Sequence, residues 1–267
     1  MSRACLSAAL LCLPLVAFGD EATWQVDGGV GVERLSNGSP DWRQVDLALR
    51  RRLDRGVVLE FAARQAQRYG ATDHELGIGG SCPVENWNLS LRATTAGQAA
   101  FLPRHGISFD AARRLDGGWV ANAGATRNLF SPADAPASGT TLLRLAVERY
   151  VADWRFLAGL THGRLDGGAA ANGWRLQADR FFGESGRIGM LVADGRELEA
   201  TTGGVISTRV NSIVLLARWR IAAGWSFNAD VGRTHVDDII RQTDTANLSL
   251  PGGYHRDGVH FGVQHEF

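Results

Sequence analysis

The chain has 267 residues, enough for one large all-β domain or two small ones. Lys plus Arg and Asp plus Glu both number 28, so the formal charge is zero, without the basic excess of a nucleic-acid binder or an acidic interaction tail. Glycine is abundant at 33 and proline sparse at 7, which suits many strands joined by tight turns better than a disordered chain.

The first stretch reads as an export signal. Arg3 supplies a positive start, Ala4 to Phe18 an apolar run, and Ala17-Phe18-Gly19 a small-x-small cleavage site. The expected division is a signal peptide over 1–19 and one mature domain over 20–267. The stretch is too short to span a membrane and lacks a stop-transfer flank. Leu11 before Cys12 argues against a lipoprotein anchor, which needs a small residue there. Cleavage removes Cys5 and Cys12, leaving Cys82 with no partner for an internal disulfide. No apolar run of about eighteen residues follows, so no transmembrane helix is expected.

The rest repeats one pattern: about ten residues of alternating polarity, then a turn. Fourteen such segments start near Thr23, Trp42, Val57, Asp73, Trp87, Arg104, Trp119, Thr140, Trp154, Gly173, Arg187, Thr208, Trp225 and Gly258. The fourth, sixth and eleventh are weakest and could merge or split, so twelve or sixteen strands are alternatives. Alternation gives each strand two faces. In the second, Val45, Leu47 and Leu49 oppose Gln44, Asp46 and Arg50; in the third, Val57, Leu59, Phe61 and Ala63 oppose Glu60, Arg64 and Arg68. A soluble sandwich would show the same period.

Three observations separate the two. Connections after the even segments are short, as at Asp54-Arg55-Gly56, Asp116-Gly117-Gly118 and Ala223-Gly224, whereas those after odd segments include Phe130 to Gly139, Leu165 to Asn172, Gly195 to Ser207 and Asp237 to Asp257. Short turns on one side and long loops on the other are the outer-membrane arrangement, with the short side periplasmic. All eight tryptophans lie near segment ends: Trp24, Trp87, Trp119, Trp154, Trp219 and Trp225 at the short-turn end, Trp42 and Trp174 at the long-loop end. An indole, apolar with one N–H, partitions to the bilayer interface. Arg51, Arg149, Arg180, Arg233 and His265 break the apolar parity only near segment ends, where a charge costs about 0–1 kcal/mol rather than the roughly 2–4 of the midplane. The alternation Val259, Phe261, Val263, His265, Phe267 is also similar to the C-terminal signal by which outer-membrane barrels are recognised for assembly. The expected fold is therefore all-β: a closed antiparallel transmembrane β-barrel of about fourteen strands in a Gram-negative outer membrane, its termini in the periplasm.

The polar parity supplies the lumen-facing candidates: Asp46, Arg50, Glu60, Arg64, Arg92, Arg144, Glu148, Arg155, Arg175, Asp179, Arg218 and Asp230. A turn symmetric about Arg55 sets Arg50 opposite Glu60 and Asp46 opposite Arg64, each opposed pair contributing roughly 0.2–1 kcal/mol. Such charges either brace a partly filled barrel or line a water-filled pore, and a slight arginine excess hints at anions. Catalysis has little support. No Gly-x-Ser-x-Gly elbow or His-x-x-x-His pair occurs among the seven histidines. His235-Val236-Asp237-Asp238 and His255-Arg256-Asp257 are better read as solvated loop residues than as metal ligands. Glu148 and Asp179, a possible carboxylate pair, each have an arginine nearby in sequence. No enzyme activity, metal or cofactor is expected.

The stretches Val32-Glu33-Arg34-Leu35-Ser36 through Pro40-Asp41-Trp42, Val147-Glu148-Arg149-Tyr150 through Asp153-Trp154-Arg155, Arg175 to Gly183 and the terminal segment to Phe267 resemble, in order and spacing, the YaiO family of outer-membrane β-barrel proteins. The resemblance covers essentially the whole mature chain and implies an outer-membrane barrel. It brings no settled activity and no catalytic residues; Cys82 and the Ala-rich 167–172 stretch have no family meaning. The expected function is a permeability or transport barrel for small polar solutes or an envelope component. The alternative is a closed-lumen structural or interaction barrel acting through its long extracellular loops. Expected partners are outer-membrane lipid, the barrel-assembly machinery during insertion, and an envelope polysaccharide or protein, but not nucleic acid.

Overall fold

A computed structural model describes residues 23–267 apart from 98, 132–136, 167, 169, 184, 202–203, 244–245 and 251–252, with side chains described outside 199–206 and 238–252. The signal-peptide expectation and most of the Phe130 to Gly139 connection lie outside the described residues. The strands are β1 (Trp24–Leu35), β2 (Trp42–Arg52), β3 (Val58–Arg68), β4 (Ala71–Val84), β5 (Trp87–Ala96), β6 (His105–Leu115), β7 (Trp119–Phe130), β8 (Ser138–Val151), β9 (Trp154–Leu165), β10 (Ala170–Phe182), β11 (Gly186–Thr201), β12 (Gly204–Ala222), β13 (Trp225–Thr243), β14 (Ala246–Leu250) and β15 (Tyr254–Glu266). From β1 to β14 each strand pairs antiparallel with its neighbours in sequence, and β15 pairs with β13 and returns to β1, closing the sheet. The short β14 and the long β15 both pair with β13, at its far and near parts, so the closed circuit has fourteen positions. The three weakest segments of the sequence, β4, β6 and β11, are separate strands.

Closure satisfies every edge, which is what a sheet in hydrocarbon requires. The outward parity carries the apolar residues, and Leu76, Leu145 and Leu160 are 63, 61 and 63% exposed. A belt of large aliphatics this open is incompatible with water and matches a lipid-facing band. The small buried clusters lie at the loop end, where Phe101 and Leu102 pack on Ala66 and Ala96, and Phe130 on Leu165.

The short connections set the register. Arg55 and Gly56 take φ of 59° and 75°, and Gly117 and Gly118 of 68° and 78°, so each pair turns the chain with left-handed backbone. Arg50 consequently stands opposite Glu60, and Asp46 opposite Arg64. One expectation about loops is corrected. Most of Gly195 to Ser207 and Asp237 to Asp257 is ladder, not loop: β11 continues to Thr201, β12 begins at Gly204 and β13 runs to Thr243. The reason lies on their outward faces, which carry Asp194, Arg196, Arg209 and Asp237 here; the hydrogen-bonded strands continue beyond the apolar band while the polarity alternation does not.

Candidate functional site

Two interior cavities stand out among the described residues. The larger, about 1270 Å³, lies on the loop side, with Glu33, Trp42, Thr140 and Glu197 in its lining. The smaller, about 590 Å³, lies on the short-turn side, against Thr23, Arg52 and Glu266. Arg50, Glu60 and Arg92 line both, so this trio forms the floor between them. Arg50 sits between two carboxylates, 2.6 Å from Asp27 and 2.7 Å from Glu60, and Glu60 also holds Arg92 at 3.2 Å.

Arg92 reaches Glu60 across an intervening strand. Glu60, Gly79 and Arg92 lie in one row over β3, β4 and β5. A Cβ at Gly79 would stand 3.3 Å from Arg92 Cβ, so a bare glycine leaves the row open. The same device recurs. Arg144 of β8 donates to Asp110 of β6 at 2.8 Å, passing over Gly124 of β7. His260 of β15 lies 3.8 Å from Asp46 of β2 and 3.5 Å from Asp230 of β13, with β1 contributing only Gly29 and Gly31 beneath it. At these three places lumenal side chains tie a strand to its second neighbour.

Several of the remaining candidates are neutralised by neighbouring charges. Arg155 stands between Asp179 at 2.8 Å and Glu148 at 3.6 Å. Glu148 further accepts from Asn122 and from the Tyr150 hydroxyl, and the fully buried Asp179 accepts from Gln177. A carboxylate dyad for acid–base work would need one shifted proton between the two; a guanidinium stands there instead. Arg64 does not reach the Asp46 opposite it but turns to Glu75 on the other side, at 3.0 Å. Arg218 donates to Gln264 at 2.8 Å. Arg175 lines the larger cavity without an ion-pair partner among the described residues.

The loop-side mouth carries features that sequence reasoning missed. Trp42 was expected at the lipid interface; it faces inward and is 3% exposed. Its parity is that of Gln44, Asp46 and Arg50, a signal already in the sequence. Guanidinium carbons of Arg68 and Arg256 lie 4.4 and 5.1 Å from its ring centre, and Tyr69 meets it edge-on at 5.3 Å. Such cation–π contacts strengthen as water is excluded. Beside them the β5–β6 connection folds onto the inward wall. The Asp73 carboxylate, 1% exposed, accepts the backbone N–H groups of Ala100, Phe101 and Leu102 at 2.8–3.0 Å. Asp73 pairs with Ala66 in register, and Phe101 and Leu102 pack on Ala66. The loop-end histidines are outward: His235 and His255 approach at Nδ1 to 3.1 Å, and His235 contacts Asp237 at 2.7 Å. No group of three metal-ligating side chains occurs among the described residues.

This is a β-barrel of the outer-membrane type. A bacterial polysaccharide outer membrane secretin superposes with a TM-score of 0.54 at 10% identity, over 92% of this chain and 98% of that one. OmpT, an outer membrane protein of Vibrio cholerae, gives 0.50 at 6% identity over 94% and 99%. An anion-selective porin from Comamonas acidovorans gives 0.48 at 12% over 92% and 99%. At such identities the likeness concerns the fold alone. No family model matches the sequence, and no curated protein matches it.

Proposed function

We propose that the chain is a permeability barrel of the outer membrane, passing small polar solutes through a narrow charge-lined lumen, and that it is a YaiO-family protein without enzymatic activity. The observation that carries this reading is the pair of lumenal chambers meeting at Arg50, Glu60 and Arg92. A solute entering the larger chamber meets polar groups of both signs and an unpaired Arg175 before the floor. Ions and small hydroxylated molecules replace part of their hydration there, whereas apolar ones do not. The family assignment rests on the order and spacing of the motifs around Trp42, Trp154 and Asp179. Purified protein in planar bilayers tests the reading: stable conductance steps are expected, and silence from folded protein overturns it.

A second reading, the closed-lumen barrel acting through its extracellular side, is favoured by the Asp73 anchorage, which holds a connection inside the mouth. It expects silence in the bilayer and binding of an envelope polysaccharide or protein at the loop end.

A further inference from the structure

We infer that the short-turn rim is a binding surface for anionic phospholipid headgroups of the periplasmic leaflet, built from repeated cross-strand tryptophan–arginine pairs. Trp24 faces Arg51, Trp87 faces Arg113, Trp119 faces Arg149 and Trp154 faces Arg180. In each pair the tryptophan opens an odd strand and the arginine ends the next even one. Both lie on the outward parity. The guanidinium carbon sits 5.2, 5.3, 5.0 and 5.9 Å from its ring centre. Three of the pairs fall on the consecutive strands β5 to β10, about 10 Å apart, two strand spacings.

What these arginines lack decides their role. None of the four has an ion-pair partner among the described residues, although Asp54, Asp116 and Asp153 occupy the adjoining turns. Arg51 Nε and one Nη of Arg149 are enclosed by the protein without an acceptor, so only the other N–H groups of these two can meet a headgroup. At the opposite rim Arg127, Arg233 and Arg209 are paired with acids instead, with Asp166, with Asp257, and with Asp194 and Asp237, while outward Arg34 and Arg164 have neither an ion pair nor a tryptophan ring among the described residues. The neighbouring indole steadies the guanidinium at the wall, and the N–H groups that the protein does not enclose form an edge towards the headgroups. That edge matches two oxygens of a phosphate. At this rim the short turns place the pairs at the level of the phospholipid headgroups, and a net negative headgroup supplies the missing counter-charge.

The test uses the folded barrel in phosphatidylcholine vesicles containing a rising fraction of phosphatidylglycerol with brominated chains, read by tryptophan quenching. Six outward indoles stand at this rim, Trp24, Trp87, Trp119, Trp154, Trp219 and Trp225, so quenching reports the local lipid directly. Phosphatidylglycerol is expected to be preferred over phosphatidylcholine by about fivefold per occupied pair. The preference should fall towards unity in high salt, and in R51Q/R113Q/R149Q/R180Q, while R209Q/R233Q leaves it unchanged. Random lipid mixing around the wild-type barrel overturns the inference, as does a folded quadruple variant that keeps the preference. If the quadruple variant does not fold, the wild-type salt titration and Arg149→Gln alone decide: a preference that falls in salt and drops by one pair's share in Arg149→Gln supports the inference, and a preference unchanged in either overturns it.

Discussion

Replacing Asp73 by alanine should release the β5–β6 connection from the barrel mouth. Three backbone N–H groups converge on this carboxylate, and hydrogen bonds to a charged acceptor contribute about 1.5–3 kcal/mol each, roughly 4.5–9 together. Burial of Phe101 and Leu102 adds roughly 1.5–3 kcal/mol per side chain, about 3–6 in all. Against this, ordering the eight residues between Ala96 and His105 costs roughly 8–16 kcal/mol. The two sides nearly balance with the carboxylate present, and without it the docked arrangement loses. The assay is maleimide labelling of a cysteine at Leu102, which is 6% exposed, with Cys82 replaced by serine. Asp73→Ala should raise the labelling rate at least ~tenfold, the equivalent of about 1.4 kcal/mol. Asp73→Asn should fall between, because its amide N–H₂ opposes the converging donors. A folded Asp73→Ala barrel labelled within about twofold of its parent would refute the balance drawn from these contacts.

Gly124→Ala should destabilise the barrel by about 1–3 kcal/mol, because the added methyl would stand on Asp110 Oδ1 and 3.0 Å from Arg144 Nη2. Gly28→Ala, whose methyl meets nothing within 4 Å, should change stability by less than about 0.5 kcal/mol; urea titration followed by gel mobility compares the two. Glu60→Gln removes a negative charge from the chamber floor. For an ion passing about 4 Å away, roughly 1 kcal/mol of attraction is lost in water-like surroundings, so the cation-to-anion permeability ratio should fall about fivefold in reversal-potential measurements. An unchanged ratio would mean that ions do not pass that floor. In the β9–β10 connection, the hydrogen bond from Arg127, reinforced by its charge, holds Asp166 below the usual carboxylate range. With the folded value depressed, the pair's contribution is complete above the unfolded-state value and is lost as pH falls through the folded one. A carboxyl ¹³C titration should place Asp166 low, and Arg127→Gln should return it to the ordinary range; identical titrations in the two proteins would exclude the pairing.

The barrel was legible because lipid imposes one rule on every strand. Leu47, Phe61, Leu91 and Leu145 repeat an outward apolar parity that the ladder preserves, so strand number and register follow from alternation and the turn at Arg55. Past the hydrocarbon that rule ends. Arg196 lies on a continuous strand opposite Arg209, yet its polarity reads as loop. Trp42 was misplaced because position near a strand end was weighed above parity. Asp73 was missed for a different reason. Its partners are backbone N–H groups at Ala100 to Leu102, and no side-chain pattern encodes a carboxylate's contact with main chain brought back by a loop.

The glycine-spanned polar contacts bear on both readings of the lumen. A hydrogen-bonded ladder links only adjacent strands, so a barrel held by ladders alone can shear at any seam. Arg92–Glu60, Arg144–Asp110 and His260–Asp46 each link second neighbours, and the last crosses the seam where β15 closes on β1. Each such link lays two polar side chains across the inner wall and takes volume from the channel. Bracing and permeation therefore compete for the same side chains. The competition is sharpest at Arg50, which joins Asp27 and Glu60 and also lines both chambers. Shortening this arginine should widen the passage and weaken the barrel together. A purely structural lumen would show only the second effect, and a floor irrelevant to stability only the first.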